Sequence, residues 1–152
     1  MDVPPLERGS AVDDLLCFAL YAASRAVTAA YRPLLQDLGL TYPQYLVMLA
    51  LWDRGEPMPV KDLGDALQLD YGTLTPLLKR LEVAGLVTRR RRMDDERSVL
   101  VGLTDEGRAL QGSTGGITTS IGEVMGLPEV EVDRLRESLR HLAANVAAHN
   151  AR

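Results

Sequence analysis

Two sets of residues in this 152-residue chain could do chemistry: one thiol with its surrounding phenols, and a run of guanidinium groups. Cys17 is the only cysteine. The thiolate is the reactive form of the side chain, so whatever stabilises negative charge on sulfur activates it. Cys17 falls in the first turns of a helical pattern, where the helix dipole favours an anion. Phenol O–H groups can donate to the thiolate and stabilise it further. Tyr21 lies four residues on, so it shares a helix face with Cys17. Tyr31 lies fourteen residues on, about 21 Å along a continuous helix. Tyr31 therefore cannot touch Cys17 of its own chain unless the helix folds back. It can reach the Cys17 of a second copy where two such helices cross about a two-fold axis. Attack of the thiolate on a peroxide gives a sulfenic acid. Without a second cysteine position, the next product is a mixed disulfide with a small thiol, a sulfenamide or an over-oxidised sulfur. Read by itself, without its motif, Cys17 fits a buried structural residue better than a reactive one.

The net charge of −4 alone argues against a nucleic-acid partner, but its distribution argues for one. From Tyr71 to Leu103 seven basic residues (Lys79, Arg80, Arg89, Arg90, Arg91, Arg92, Arg97) face four acids, giving +3 and leaving −7 elsewhere. A local basic patch on an acidic body can hold phosphate without making the whole protein adhesive.

Several elements must position these groups. From Asp13 to about Ala30 the pattern is helical and almost wholly apolar, which demands burial on most faces. In so small a chain that points to a second subunit. Pro33 and Gly39 then punctuate a short helical piece. Thr41-Tyr42-Pro43-Gln44 fits a capping box, with Pro43 in the first turn and Leu40 and Tyr45 as a hydrophobic staple. That helix runs to about Asp53 and stops at Gly55. Two short helices follow, about Val60–Leu67 and about Gly72–Ala84, joined by the tight link Gln68-Leu69-Asp70. Pro76 is expected in the first turn of the second, because deeper placement breaks a helix, and Gly85 ends it. This is a helix-turn-helix pattern.

After Gly85 the apolar period becomes two. Val87–Arg92 and Arg97–Leu103 read as strands around the turn Met93-Asp94-Asp95-Glu96, a hairpin. Thr104-Asp105-Glu106 caps a further helix, which Gly112, Gly115, Gly116 and Gly122 should bend or fray. Leu127-Pro128 restarts a last helix with an apolar stripe of Leu135, Leu139, Leu142 and Val146. A helix-turn-helix followed by a hairpin is a winged helix. Its second helix would enter the major groove with Thr73, Thr75 and Pro76 near its start and Lys79 and Arg80 a turn later. The hairpin would lay arginine along a narrow minor groove.

The segments Leu74–Glu82, Gly85–Arg89 and Asp95–Thr104 resemble the recognition helix and wing of MarR-type repressors. In that family an acid-x-Arg pair in the wing orients the arginine for the minor groove; the matching residues here are Asp95 and Arg97. Leu16-Cys17-Phe18-Ala19-Leu20-Tyr21 resembles the sensor helix of the OhrR type, and Tyr31 and Tyr42 match that subgroup's tyrosines. The resemblance covers about residues 13–110. It implies a cysteine that hydrogen-bonds with these phenols and reacts with organic hydroperoxide.

The expected architecture is thus mainly α with a small β-wing. Residues 39–103 form the winged helix-turn-helix, and residues 1–38 and 104–152 form a helical dimerisation region. The expected partners are double-stranded DNA with a palindromic operator, a second copy of the chain, organic hydroperoxide and a low-molecular-weight thiol. No cofactor is expected, and no metal, since His141 and His149 lack matched ligand spacing. No apolar run approaches the roughly 20 residues of a membrane helix. The N-terminus has no signal-like core, so a cytoplasmic protein is expected. Two other readings remain open: a repressor controlled by a small aromatic or phenolic ligand, or a broader thiol-based stress regulator. A thiol peroxidase is disfavoured by the lack of a resolving cysteine and of a nearby arginine for the peroxide anion.

Overall fold

The computed structural model describes residues 15–92 and 98–152. The chain divides into two compact units, one running to Ile117 and one spanning Thr118–Arg152. The first unit carries α1 (Leu16–Gln36), α2 (Tyr42–Arg54), β1 (Met58–Pro59), α3 (Val60–Leu67), α4 (Tyr71–Val83), β2 (Val87–Arg91), β3 (Val99–Leu103) and α5 (Asp105–Leu110). A single 3-10 turn, Gln111–Ser113, follows α5; then come α6 (Ile117–Met125) and α7 (Glu129–Asn150).

α1 is one continuous helix through Pro33. The expected break at that proline does not occur, and the separate short piece belongs to α1. α2 starts as its sequence requires. The Gln44 N–H donates to Thr41 Oγ1 at 3.4 Å, and the Thr41 N–H donates to Gln44 Oε1 at 3.0 Å. Leu40 and Tyr45, the staple positions, are both buried.

α3 and α4 form the helix-turn-helix. The turn between them is tight because Gln68 takes a left-handed φ of 55° and the Leu69 N–H returns to the Gly64 carbonyl at 2.9 Å. A Cβ on Gly64 would stand 2.9 Å from the Leu69 carbonyl oxygen, so this approach needs glycine. Asp70 caps α4, its Oδ1 accepting the Thr73 N–H at 2.9 Å. Pro76 lies in the second turn of α4, not the first. The helix therefore lacks the hydrogen bond that residue 76 would otherwise return to the Gly72 carbonyl. Gly85 (φ 79°) follows the C-cap and turns the chain into β2.

The sheet is antiparallel in the order β1-β3-β2. Val87 pairs with Leu103 and Arg91 with Val99, the expected hairpin. β1 adds a third strand that sequence reasoning missed, pairing Met58 with Val101. The core lies under this sheet and the three helices, with Met48, Leu51, Leu63, Leu74, Leu78, Leu81, Val87 and Val101 all but sealed from solvent. Past Thr104 the glycine-bearing stretch breaks into α5, the 3-10 turn and α6, as its composition implied. α7 starts after Pro128 as expected. Among the described residues, no helix is long and apolar enough to cross a membrane.

Candidate nucleic-acid interface and thiol site

The start of α4 presents short and polar groups outward. Thr73 and Pro76 are exposed, and so are Lys79 and Arg80 one turn on. Thr75 is half-buried and its hydroxyl donates to the Tyr71 carbonyl at 2.8 Å, so it is less available than its position implied. Hydrogen bonds from Thr73, side chain first and backbone second, hold the Asp70 carboxyl below its usual range. Tyr71, the first residue of α4, is 69% exposed. Sequence reasoning passed over it; its place beside the capping Asp70 was the signal that could have found it.

In the wing, Arg90 and Arg91 are exposed along β2, whereas Arg89 turns inward. Its Nη2 donates to Glu82 Oε1 at 3.0 Å and its backbone N–H donates to Glu82 Oε2 at 3.2 Å. The Arg92 N–H closes the hairpin onto the Ser98 carbonyl at 2.8 Å. Asp95 and Arg97 lie outside the described residues.

The wing is also tied down at its base. Thr104 caps α5, its Oγ1 accepting the Gly107 N–H at 3.0 Å while its O–H donates to the Gly85 carbonyl at 2.6 Å. The Thr104 N–H donates to the Leu86 carbonyl at 3.1 Å. Trp52, on α2, donates its indole N–H to the Gly107 carbonyl at 2.8 Å. A cleft of about 560 Å³ runs between α3, the start of α4 and β3, lined by Val60, Lys61, Asp65, Tyr71, Leu74 and Val99.

Cys17 is exposed and is the second residue of α1, where the helix dipole favours an anion; the expected start at Asp13 lies outside the described residues. Tyr21 shares its face and is exposed, with Arg25 stacked 5.4 Å from its ring centre. Tyr31 stands on the same unbroken helix, fourteen residues from Cys17. The folding-back that could have joined them in one chain does not occur. Tyr31 instead packs on Tyr42, with ring centres 4.5 Å apart, and on Tyr45 at 5.9 Å. Tyr45 in turn meets Trp52 edge-on at 6.4 Å. Tyr45 was read only as a staple, yet it belongs to this cluster. Burial pushes all three phenols up, and Tyr31 is raised further by its two neighbours. At neutral pH they are therefore O–H groups, able to donate.

A family model described as transcriptional regulator SarA/Rot matches residues 29–112. The organic hydroperoxide resistance transcriptional regulator of Bacillus subtilis is 47% identical over 126 residues, covering 83% of each chain. The HTH-type transcriptional regulator TtmR of Methylorubrum extorquens is 49% identical over 133 residues, 88% of this chain and 66% of that one. Among solved structures, reduced AbfR bound to DNA superposes with a TM-score of 0.74 at 36% identity, covering 87% of this chain and 91% of that one. Overoxidized AbfR bound to DNA superposes at 0.67 with 38% identity, covering 84% and 91%; AbfR is a Staphylococcus epidermidis protein. With a winged helix, exposed basic residues on α4 and the wing, and relatives of this identity over most of both chains, the protein belongs to the MarR/SarA family of DNA-binding transcriptional regulators.

Proposed function

We propose that the protein is a repressor that leaves its operator when organic hydroperoxide oxidises Cys17. It acts as a cytoplasmic homodimer on a palindromic operator. Residues 39–103 read DNA, and residues 1–38 and 104–152 hold the two copies together. Support for the dimer comes from apolar side chains left open in the single chain. Leu15 just before α1, Leu16 and Phe18 on it, and Leu135, Leu139 and Val146 on α7 are exposed, a cost in water unless a second copy covers them.

The observation that carries the reading is an exposed thiol at the start of α1, with protonated phenols clustered a helix length away. In a crossed pair of α1 helices, the Tyr31–Tyr42 cluster of one copy serves the thiolate of the other. The Cys17 thiolate attacks the terminal oxygen of the hydroperoxide. The O–O bond breaks, the alkoxide leaves and takes a proton as an alcohol, and sulfur becomes a sulfenic acid. A small thiol then condenses with it, forming a mixed disulfide and releasing water. AbfR has been solved on DNA in its overoxidized form, so the releasing species proposed here is the bulkier mixed disulfide. Its volume pushes on the dimer packing and changes the spacing of the two reading heads.

The test is operator binding by the wild type and by Cys17→Ser, with and without cumene hydroperoxide, in the presence of a small thiol at fixed salt. The wild type should lose the operator on oxidation. Cys17→Ser should bind equally well and ignore the peroxide. Peroxide-driven release of Cys17→Ser overturns the proposal. Release of that same variant by a small phenolic compound would favour ligand control instead.

A further inference from the structure

The run Arg89–Arg92 reads as four equivalent phosphate contacts, but its first member is used differently. Arg89 sits on β2, two residues after Val87, which is sealed in the core. Strand alternation therefore sends Arg89 toward the protein while Arg90 goes out. There it meets Glu82, in the last turn of α4. One carboxylate oxygen takes the guanidinium at 3.0 Å and the other takes the Arg89 backbone N–H at 3.2 Å. The Arg89 side chain keeps 27% of its surface exposed and its Nε is buried.

We infer that Glu82 and Arg89 form a clamp that fixes the wing against the recognition helix, so that Glu82 is a positioning residue for DNA binding and Arg89 is not a phosphate contact. This rests on the reading that α4 and the wing both touch DNA. The two-point contact matters for a geometric reason. Thr104 already holds the chain at Gly85 and Leu86, and a single side-chain pair farther along β2 would add one more fixed point. Holding a backbone N–H and a guanidinium with the same carboxylate fixes both the position and the tilt of the strand. Arg90 and Arg91 are then presented from a set base, at a constant offset from Thr73 and Lys79. Unlike an exposed ion pair, the clamp has its value in preorganisation: the bound geometry exists before DNA arrives.

The test compares Glu82→Ala, Glu82→Gln, Arg89→Ala and the Glu82→Ala/Arg89→Ala double variant in operator binding over a range of salt. A direct phosphate contact contributes about 0.9 to the slope of log affinity against log salt. Arg89→Ala should weaken binding roughly tenfold, the size of one lost wing contact, with its slope unchanged. Glu82→Ala should do the same, and the double variant should be no worse than either single one. Glu82→Gln keeps an acceptor for the backbone N–H and should recover part of the loss. Hydroxyl-radical footprints should keep protection under both the wing and α4, because the wing contacts are remade once DNA has ordered the strand and only the preorganisation is lost. A slope reduced by about one unit in Arg89→Ala would make Arg89 a phosphate contact and overturn the clamp. So would additive losses in the double variant. Failure of the underlying reading looks different: Arg90→Ala and Arg91→Ala would then leave affinity and slope untouched.

Discussion

Replacing Gly107 with alanine should damage the wing although it improves the local helix former. Gly107 is the third residue of α5 and is buried. A Cβ there would overlap the Leu86 carbonyl oxygen and stand 3.1 Å from the Leu86 carbonyl carbon and 3.3 Å from Leu103 Cδ2. The first two atoms are backbone at the turn from α4 into the wing, so no side-chain rotation relieves the clash. α5 must back away. That strains three hydrogen bonds that meet there: Trp52 to the Gly107 carbonyl at 2.8 Å, Thr104 O–H to Gly85 at 2.6 Å and Thr104 N–H to Leu86 at 3.1 Å. At about 1 kcal/mol each, their loss costs about 3 kcal/mol. Alanine returns up to about 1 kcal/mol of helix propensity, so the net destabilisation is about 2 kcal/mol.

Trp52 is the only tryptophan and lies at this junction, so its fluorescence reports the event directly. Urea unfolding should show a lower midpoint with an unchanged slope. Protomer concentration must be held equal, because dimerisation adds to apparent stability. Operator affinity should fall with it, since Leu86 leads into β2. A Gly107→Ala protein as stable as the wild type would refute the reasoning, because it would mean that α5 does not bear on Leu86.

Arg90→Ala and Arg91→Ala should each lower the salt slope of operator binding by about 0.9, read by titration at several salt concentrations. Tyr42→Phe should lower the alkaline midpoint of Tyr31, because it removes the neighbouring phenolate that opposes Tyr31 ionisation; phenolate absorbance follows it. The folded-state values of Tyr31, Tyr42 and Tyr45 lie above the ordinary 10.0, so their contribution to stability is complete below that pH. It is lost as the pH rises through the raised values, and urea midpoints above pH 10 should fall less steeply in Tyr42→Phe. Glu82 runs the other way. Arg89 holds its carboxyl below the ordinary 4.5, so the clamp is intact above that value and loosens only in acid. Operator affinity between pH 6 and 8 should therefore show no titration from it, which affinity measurements across that range would check.

Much of the fold was legible because its determinants are local. The capping box at Thr41, the Gly85 stop and the period-two run from Val87 each involve residues within a few positions of one another. The elements that escaped depend on distant partners. Met58 and Pro59 form a strand only because Val101 and Leu100 lie beside them, and nothing in Pro57-Met58-Pro59 announces that. Pro33 read as a break and Pro76 as a first-turn residue, yet Pro33 lies inside α1 and Pro76 in the second turn of α4. The same limit applies to the site. Cys17 stood out as the one cysteine, and Tyr31 and Tyr42 through the resemblance to the OhrR type. That Tyr45 joins the phenols, and that Arg89 faces Glu82, follows from packing between elements. A run of four arginines looks uniform in sequence, but Arg89 turns onto Glu82 while Arg90 and Arg91 stay exposed.

The two halves of the molecule's chemistry meet on α2. Its first residue, Tyr42, and its fourth, Tyr45, pack on Tyr31 of α1. Near its other end, Trp52 holds the Gly107 carbonyl. Gly107 and Thr104 in turn hold the base of the wing at Gly85 and Leu86. An α-helix of thirteen residues is stiff over its length of about 20 Å, so a tilt imposed at the phenols is felt at Trp52. The indole N–H bond and the close approach of Gly107 to Leu86 leave little slack to absorb it. Cores of this density shift between discrete packings instead of deforming smoothly. Under the proposed switch, an adduct that displaced Tyr31 and Tyr42 would have a packed route along α2 to the base of the wing, where Trp52 bonds to the Gly107 carbonyl.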